Sequence, residues 1–150
     1  MDDRIGELLR STRRIAVLGM KTEAQRFEPA FYVPESLIEA GYDVVPVPVY
    51  YPEVTEILGR PVYRRVADVP PPAVDLVDVF RRPGDLMPHL EDLLAARPRV
   101  VWLQSGIRHQ GFADRLEEAG IIVVQDRCLM VEVQRRGLRA SSSITDGVPP

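Results

Sequence analysis

The sequence predicts a doubly wound α/β fold, in which one mainly parallel sheet of about five strands carries helices on both faces. Short apolar runs, such as residues 15–18 and 100–103, are bounded by turn-forming residues, as is typical of strands buried on both sides. Segments of about ten residues with apolar positions at helical spacing separate these runs. This alternation builds βαβ units, and right-handed crossovers leave a Rossmann-like sheet as the simplest closure.

Five apolar runs are predicted as strands. They cover residues 14–18, 42–47, 74–80, 100–103 and 121–124. The first run ends on Gly19, and the second is stopped by Pro48, which has no N–H for a strand ladder. The proline-rich residues 49–73 are expected to form a long connection, with one helical turn near 55–58 and a short irregular strand near 61–63.

Five segments with a helical apolar stripe are predicted as helices. They cover residues 3–11, 30–40, 83–96, 110–119 and 129–136. Gly41 supplies a C-cap for the second helix, and Pro34 suits that helix only within its first turn. Pro83 fits the first position of the third helix, where its missing N–H is not needed. Residues 1–136 are therefore predicted as one domain, and the Ser/Pro/Gly-rich residues 137–150 as a mobile tail.

The composition indicates an ordinary globular domain. The chain has 150 residues, 45% of them hydrophobic and 27% charged, and a net charge of −3, which argues against general nucleic-acid binding. No signal peptide or membrane span is evident, so a cytoplasmic location is expected. Lys21 is the only lysine among 19 basic residues, and this arginine bias, with 14 prolines, is compatible with a GC-rich or thermophilic source.

The predicted topology gathers the loops after the five strands at one edge of the sheet, where open parallel sheets bind ligands. These loops are rich in basic residues, and acids are scarcer there. The basic residues are Lys21, Arg26, Arg81, Arg82, Arg108 and Arg127. Arginine forks and helix N-termini both suit phosphate oxygens, so an anionic, phosphorylated ligand lying over Gly19 is expected. The alternative for each arginine is that it only solvates its loop.

Several known site types are excluded or weakly supported. The first loop, GMKTEAQR, lacks both the G-x-G-x-x-G fingerprint and the P-loop pattern, and no acid ends the second strand to hold a ribose. His89 is expected to be a surface or packing residue, and His109 has no nucleophile placed beside it. Cys128 lies near the end of the fifth strand and is expected to be a small core residue, with contact to a ligand as the alternative. Asp75 and Asp78 lie three apart on one strand and so face opposite sides. Neither a metal site nor an enzyme is therefore predicted.

Five segments together resemble the small bacterial CoA-binding domain proteins. They are IAVLG at 15–19, GYDVVPVPVYYPEVTEILGRPVY at 41–63, VDLVDVFRRP at 74–83, VWLQSGI at 101–107 and AGIIVVQDRCLMVE at 119–132. Those proteins are similar to the CoA-binding Rossmann domain of the succinyl-CoA synthetase α subunit and of ADP-forming acyl-CoA synthetases. The chain departs from the usual pattern at Met20 and in the PVPV segment at 46–49.

The resemblance implies a coenzyme A pocket at the edge already described. The residues that it places near the phosphates, the adenine and ribose are Gly19, Met20, Lys21, Arg26, Val47, Pro48 and Tyr50. Those that it places beside the nucleotide and the pantetheine arm are Phe80, Arg81, Arg82, Pro83, Gln104, Ser105, Gly106 and Ile107.

The leading hypothesis is a stand-alone, non-catalytic module that binds CoA or an acyl-CoA. Two alternatives stay open. One is an accessory subunit of an acyl-CoA synthetase or ligase, which would need a protein partner that the sequence does not identify. The other is an NAD(P)-binding regulator.

Overall fold

Five parallel strands form the central sheet of the computed structural model, which describes residues 3–140. In chain order they are β1 (Arg14–Leu18), β2 (Asp43–Val47), β5 (Leu76–Val79), β6 (Val100–Leu103) and β7 (Ile122–Val124), while β3 and β4 form a separate hairpin. The strand order is β2-β1-β5-β6-β7, and every pair is parallel. The predicted fold class is confirmed, and β1 and β6 have the predicted bounds.

Helices cover both faces of this sheet and divide the core into two layers. They are α1 (Arg4–Arg10), α2 (Pro29–Glu39), α3 (Leu90–Ala96), α4 (Gln110–Glu118) and α5 (Leu129–Arg135). On one face, α1, α2 and α5 pack against the side chains of Ile15, Val17 and Trp102. On the other face, α3 and α4 pack against neighbouring strand residues such as Ala16 and Val77. The alternation of side chains along each strand thus explains its continuous apolar sequence.

The segment 83–96 is not one helix, contrary to the prediction. Residues Pro83–Asp85 and Met87–His89 form separate 3₁₀ turns, and only Leu90–Ala96 is α-helical. Pro88 has no N–H to bond the carbonyl four residues earlier, so tighter turns replace the first α-helical turns. The predicted apolar stripe survives, because Leu86, Leu90 and Leu93 are all buried.

The helical turn predicted near 55–58 is also wrong. This stretch forms an antiparallel hairpin of β3 (Glu56–Ile57) and β4 (Arg60–Pro61), one residue before the short strand that the sequence predicted. Leu58 and Gly59 connect the strands with φ values of 52° and 74°. A two-residue hairpin turn needs this left-handed backbone at both positions, which an α-helix does not allow.

The chain packs against the domain up to the last residues that the structure describes. The Leu138 N–H donates to the Val133 carbonyl at 3.1 Å, and the Ala140 N–H donates to the Ala40 carbonyl at 2.8 Å. The first four residues of the predicted tail, 137–140, are thus attached to α2 and α5. Residues 141–150 lie outside the described part of the chain, and there the tail stays a prediction.

Candidate functional site

A cavity of about 680 Å³ opens at the carboxyl ends of β1, β5 and β6. The chain leaves β1 toward β2 on one side and later returns to β5 on the other side. The loops after β1 and β5 therefore diverge, which creates a crevice at this point of a parallel sheet.

Ten of the fifteen site residues expected from the sequence line this cavity. They are Lys21, Tyr50, Phe80, Arg81, Arg82, Pro83, Gln104, Ser105, Gly106 and Ile107. The other five, which do not line it, are Gly19, Met20, Arg26, Val47 and Pro48. Whether any of the fifteen touches a ligand stays a prediction.

Gly19 is required by the protein's own backbone. A Cβ atom at this position would lie 2.3 Å from the carbonyl oxygen of Phe80, and the φ of Gly19 is 89°. A side chain here would therefore clash with the strand beside it and strain the backbone. The sequence correctly marks a close approach at this glycine, and the group that makes it is the Phe80 carbonyl, while the approach of a ligand stays a prediction.

The two departures from the family pattern lie beneath the cavity rather than in it. Met20 is fully buried and packs into the core layer formed with α1, α2 and α5. Val47 is fully buried in the opposite layer, and Pro48 is buried too. Since a strand alternates its side chains, residues at its carboxyl end can point into the core although their backbone borders the cavity.

A proline inside α2 fixes the position of Lys21. Pro34 lies at the sixth position of this helix and has no N–H for the Ala30 carbonyl, which would be its usual partner. That carbonyl instead accepts the backbone N–H of Lys21 at 3.1 Å. The Lys21 side chain forms an ion pair with Glu28 at the mouth of the cavity.

Arg81 is held by aromatic neighbours at the cavity wall. Its Nε donates to Nε2 of His89 at 3.2 Å, and its Nη1 donates to the Tyr50 hydroxyl at 3.3 Å. The guanidinium carbon lies 5.6 Å from the centre of the Tyr50 ring, a cation–π distance. Burial lowers the pKa of His89, and the charge of Arg81 lowers it further.

Gln104 brings an amide to the cavity from the loop after β6. The residue is only 4% exposed, and its Oε1 accepts the Leu129 N–H at 3.0 Å. This bond orients the side chain, and within residues 3–140 its Nε2 makes no hydrogen bond. The amide nitrogen is therefore available to donate to a ligand carbonyl.

Three of the arginines expected at this edge have protein partners instead. Arg26 lies over the Phe27 ring at 5.1 Å, Arg108 pairs with Asp126 at 3.5 Å, and Arg127 pairs with Glu132 at 3.5 Å. The backbone N–H of Gly106 lowers the pKa of Asp126, and Arg108 lowers it further. The cations that line the cavity are thus Lys21, Arg81 and Arg82, opposed by Glu28 and Asp85.

Seven residues that line the cavity were missing from the predicted site. They are Glu28, Pro29, Ala30, Tyr32, Val33, Asp85 and Cys128. Five of them belong to the start of α2, which the sequence placed one residue late. The E-P pair at 28–29 is a signal for this start, because proline favours the first helical position. Cys128, expected in the core, is half-buried and both packs on the core and lines the cavity.

Two other titratable residues singled out in the sequence are His109 and Asp78. The first has a structural hydrogen-bond partner, and the second has none within residues 3–140. The Nδ1 of His109 accepts the Phe112 N–H at 3.0 Å and caps α4. Asp78 is fully buried, and neither of its oxygens has a hydrogen-bond partner within residues 3–140. The same residues contain no group of three or more His, Cys, Asp or Glu side chains that could hold a metal. No helix between residues 3 and 140 is long and apolar enough to cross a membrane.

Comparison with known protein families shows which family the chain belongs to. The model of the CoA binding domain matches residues 13–134, which span the sheet and most of its helices. The chain belongs to this CoA-binding domain family. The resemblance inferred from the five sequence segments is thereby confirmed.

Two relatives match this chain over most of their own length. The chain is 32% identical over 127 residues to the uncharacterized protein YneT of Bacillus subtilis, covering 85% of this chain and 90% of that protein. It is 46% identical to a Thermus thermophilus protein, cell-free ID.343, whose structure matches with a TM-score of 0.81 over 90% of this chain and 98% of the other.

The same fold occurs within a larger enzyme. The structure of a dinucleotide-forming acetyl-coenzyme A synthetase from Ca. Korarchaeum cryptofilum matches with a TM-score of 0.65 at 20% identity. The match covers 82% of this chain but only 27% of the synthetase chain. At this identity the likeness establishes the shared fold.

Proposed function

We propose that this protein binds coenzyme A, or an acyl-CoA, in the cavity at the carboxyl edge of the sheet, as a stand-alone and non-catalytic module. The observation that carries the proposal is that three cations, Lys21, Arg81 and Arg82, and the amide of Gln104 line one cavity. Coenzyme A has the matching groups in its phosphates and its pantetheine arm. The cavity's volume of about 680 Å³ is also in the range typical of sites for small organic ligands.

The cations of the cavity wall suit the phosphates of CoA. Arg81 and Arg82 lie in the loop after β5, and Lys21 lines the same cavity from the loop after β1. The first turn of α2 contributes Pro29 and Ala30 to the same wall, where the helix dipole favours an anion. A diphosphate with a further ribose phosphate would therefore find complementary charge here.

The uncharged lining of the cavity suits the pantetheine arm. It includes the donor amide of Gln104 and the partly apolar surfaces of Val33, Ile107 and Cys128. The arm is a flexible chain of methylene groups with two amides, and each amide carbonyl needs a donor once it leaves water. A single oriented amide among apolar groups can satisfy one such carbonyl.

Thermal unfolding of the purified full chain with CoA, acetyl-CoA, ADP and NADH in parallel tests this proposal. A ligand at a hundredfold excess over its Kd stabilises the folded state by about 2.7 kcal/mol, so a genuine ligand raises Tm measurably. We expect CoA and acetyl-CoA to raise Tm more than ADP does. A rise with NADH alone would contradict the proposal and favour an NAD(P)-binding regulator. Hydrolysis or transfer of the acetyl group in the acetyl-CoA sample would contradict the non-catalytic role.

Three variants of charged residues sharpen this test. Arg82→Ala removes a cation of the cavity wall and should weaken CoA binding about tenfold. Glu28→Gln removes the acid paired with Lys21 and should tighten CoA binding several-fold. Arg13→Ala is the matched control, because this exposed arginine precedes β1 at the opposite end of the sheet and should leave CoA affinity unchanged. Equal effects of all three changes would contradict an anion site at the cavity wall.

A further inference from the structure

Two of the three nitrogen atoms of the Arg81 guanidinium make hydrogen bonds within the protein. Nε donates to His89 and Nη1 donates to Tyr50, at 3.2 and 3.3 Å. The guanidinium carbon also lies 5.6 Å from the centre of the Tyr50 ring. Within residues 3–140, the remaining Nη2 atom makes no hydrogen bond. Arg81 lines the cavity, so its free edge is available to an anion there.

His89 can hold Arg81 in this way only while its imidazole is neutral. The Nε2 atom accepts the Arg81 hydrogen bond, so the single ring proton of the neutral form belongs on Nδ1. The backbone at His89 is fixed at the end of a 3₁₀ turn, because its N–H donates to the Leu86 carbonyl at 2.9 Å. The residue is half-buried between this turn and the loop after β5.

We propose that His89 is a positioning residue for the anionic part of the ligand, acting through Arg81. The neutral imidazole fixes the guanidinium so that its free edge faces the cavity. A protonated imidazole has no acceptor for the Arg81 Nε–H and repels its charge, which releases the guanidinium from this orientation. The inference rests on the proposed function, and it adds that ligand binding weakens in acid through one histidine.

The groups that face His89 come from three elements. Arg81, on the loop after β5, disfavours the imidazolium ion, as does burial, whereas Asp85 and Asp92 favour it. Burial and Arg81 prevail, so the pKa of His89 lies below its usual value. The ring is accordingly neutral at pH 7 and gains its proton only at a lower pH than an exposed histidine does.

The test uses 3′-dephospho-CoA, whose diphosphate keeps a constant charge between pH 5 and 8. Its Kd is measured by calorimetry at pH 7.5, 6.5 and 5.5 for the wild type and three variants. We expect the wild-type affinity to fall several-fold from pH 7.5 to 5.5. His89→Gln retains an acceptor for Arg81 but does not titrate, so its affinity should match the wild type at pH 7.5 and stay constant. His89→Leu should bind about tenfold more weakly at pH 7.5.

His109→Asn is the control for the other histidine of the chain. Asparagine keeps a cap for α4, so this variant should retain the wild-type pH dependence. Wild-type affinity in His89→Leu, or an unchanged pH dependence in His89→Gln, would overturn the role of His89 while leaving the proposed function intact. Absence of binding to the wild type at every pH, for both 3′-dephospho-CoA and CoA, would overturn the proposed function and this inference together.

Discussion

Asp78 is the least expected residue of the core. It lies in the middle of β5, opposite Val17 on one side and Trp102 on the other. Its side chain is fully buried, and neither carboxyl oxygen has a partner within the described residues. Burial raises the pKa of Asp78 well above its usual value, so the group stays protonated where an exposed aspartate would be ionised.

Replacing Asp78 should make the protein more stable. Asp78→Val removes an unsatisfied polar group from an apolar site and should raise the free energy of unfolding by about 1–3 kcal/mol at pH 7. Because the pKa of Asp78 is raised in the folded state, only the unfolded chain releases this proton readily as the pH rises above about 4. The folded protein therefore loses stability over this pH range. The difference between variant and wild type should therefore grow from pH 4 to pH 8, as measured by urea unfolding.

Asp75 gives a matched comparison for this change. Its carboxylate accepts the backbone N–H groups of Arg13 and Arg14, both at 2.9 Å. Asp75→Val should therefore destabilise the protein, opposite in sign to Asp78→Val. A loss of stability in Asp78→Val comparable to that in Asp75→Val would contradict the account of Asp78 as an unsatisfied core group.

Gln104 should distinguish the two ends of the proposed ligand. Gln104→Leu removes the free amide donor from the cavity lining, so CoA should bind about three- to tenfold more weakly, as expected for one lost hydrogen bond. ADP has no pantetheine arm and should bind this variant as it binds the wild type. Parallel titrations with CoA and ADP measure both effects. An equal loss for the two ligands would place Gln104 outside the pantetheine end.

At the scale of elements, α3 holds the connection between β4 and β5 in place. The carboxylate of Asp92 accepts the backbone N–H groups of Val66 and Ala67, both at 2.8 Å, across the buried interface. These residues begin a 3₁₀ turn, Val66–Asp68, whose N-cap has no side-chain hydrogen bond of its own. A helix side chain thus supplies the cap that the connection lacks.

Removal of this cap should destabilise the domain. Asp92→Ala leaves two N–H groups without their acceptor and should lower the free energy of unfolding by about 2–4 kcal/mol. Glu91→Ala, at the neighbouring exposed position of α3, is the control and should change stability by less than about 0.5 kcal/mol. Both values come from urea unfolding at pH 7. Similar small effects of the two changes would show that the contact between α3 and the connection contributes little.

The elements that the sequence predicted well are those with strong apolar periodicity. β1 and β6 could be placed to the residue, because both are continuous apolar runs between polar neighbours. The segments 55–58 and 83–96 could not, because their structure depends on positive φ angles at Leu58 and Gly59 and on Pro88. The spacing of apolar residues carries no information about backbone angles or about a missing N–H.

The candidate site could be predicted at the level of loops but not of every side chain. Parallel topology brings the loops after β1, β5 and β6 together, and ten of the expected residues line the resulting cavity. Met20, Val47 and Pro48 lie in the same stretches of chain but point into the core. That direction follows from the exact end of each strand, which sequence patterns leave open by a residue or two.

At the scale of the whole molecule, the strand order places the cavity. A sheet ordered β2-β1-β5-β6-β7 changes winding direction between β1 and β5, and the cavity lies at that position. The family match over residues 13–134 covers all five strands, so the sheet that creates the crevice belongs to the family as a whole. Lys21, Arg81, Arg82 and Gln104 line this crevice.

Calorimetric titration of the full chain with CoA is the decisive measurement of whether this cavity binds coenzyme A. We expect saturable heat with one CoA bound per chain and an affinity higher than that of ADP measured in the same buffer. Arg82→Ala should weaken CoA binding, while Arg13→Ala should not. No heat of binding with CoA, or equal affinities for CoA and ADP, would contradict the account.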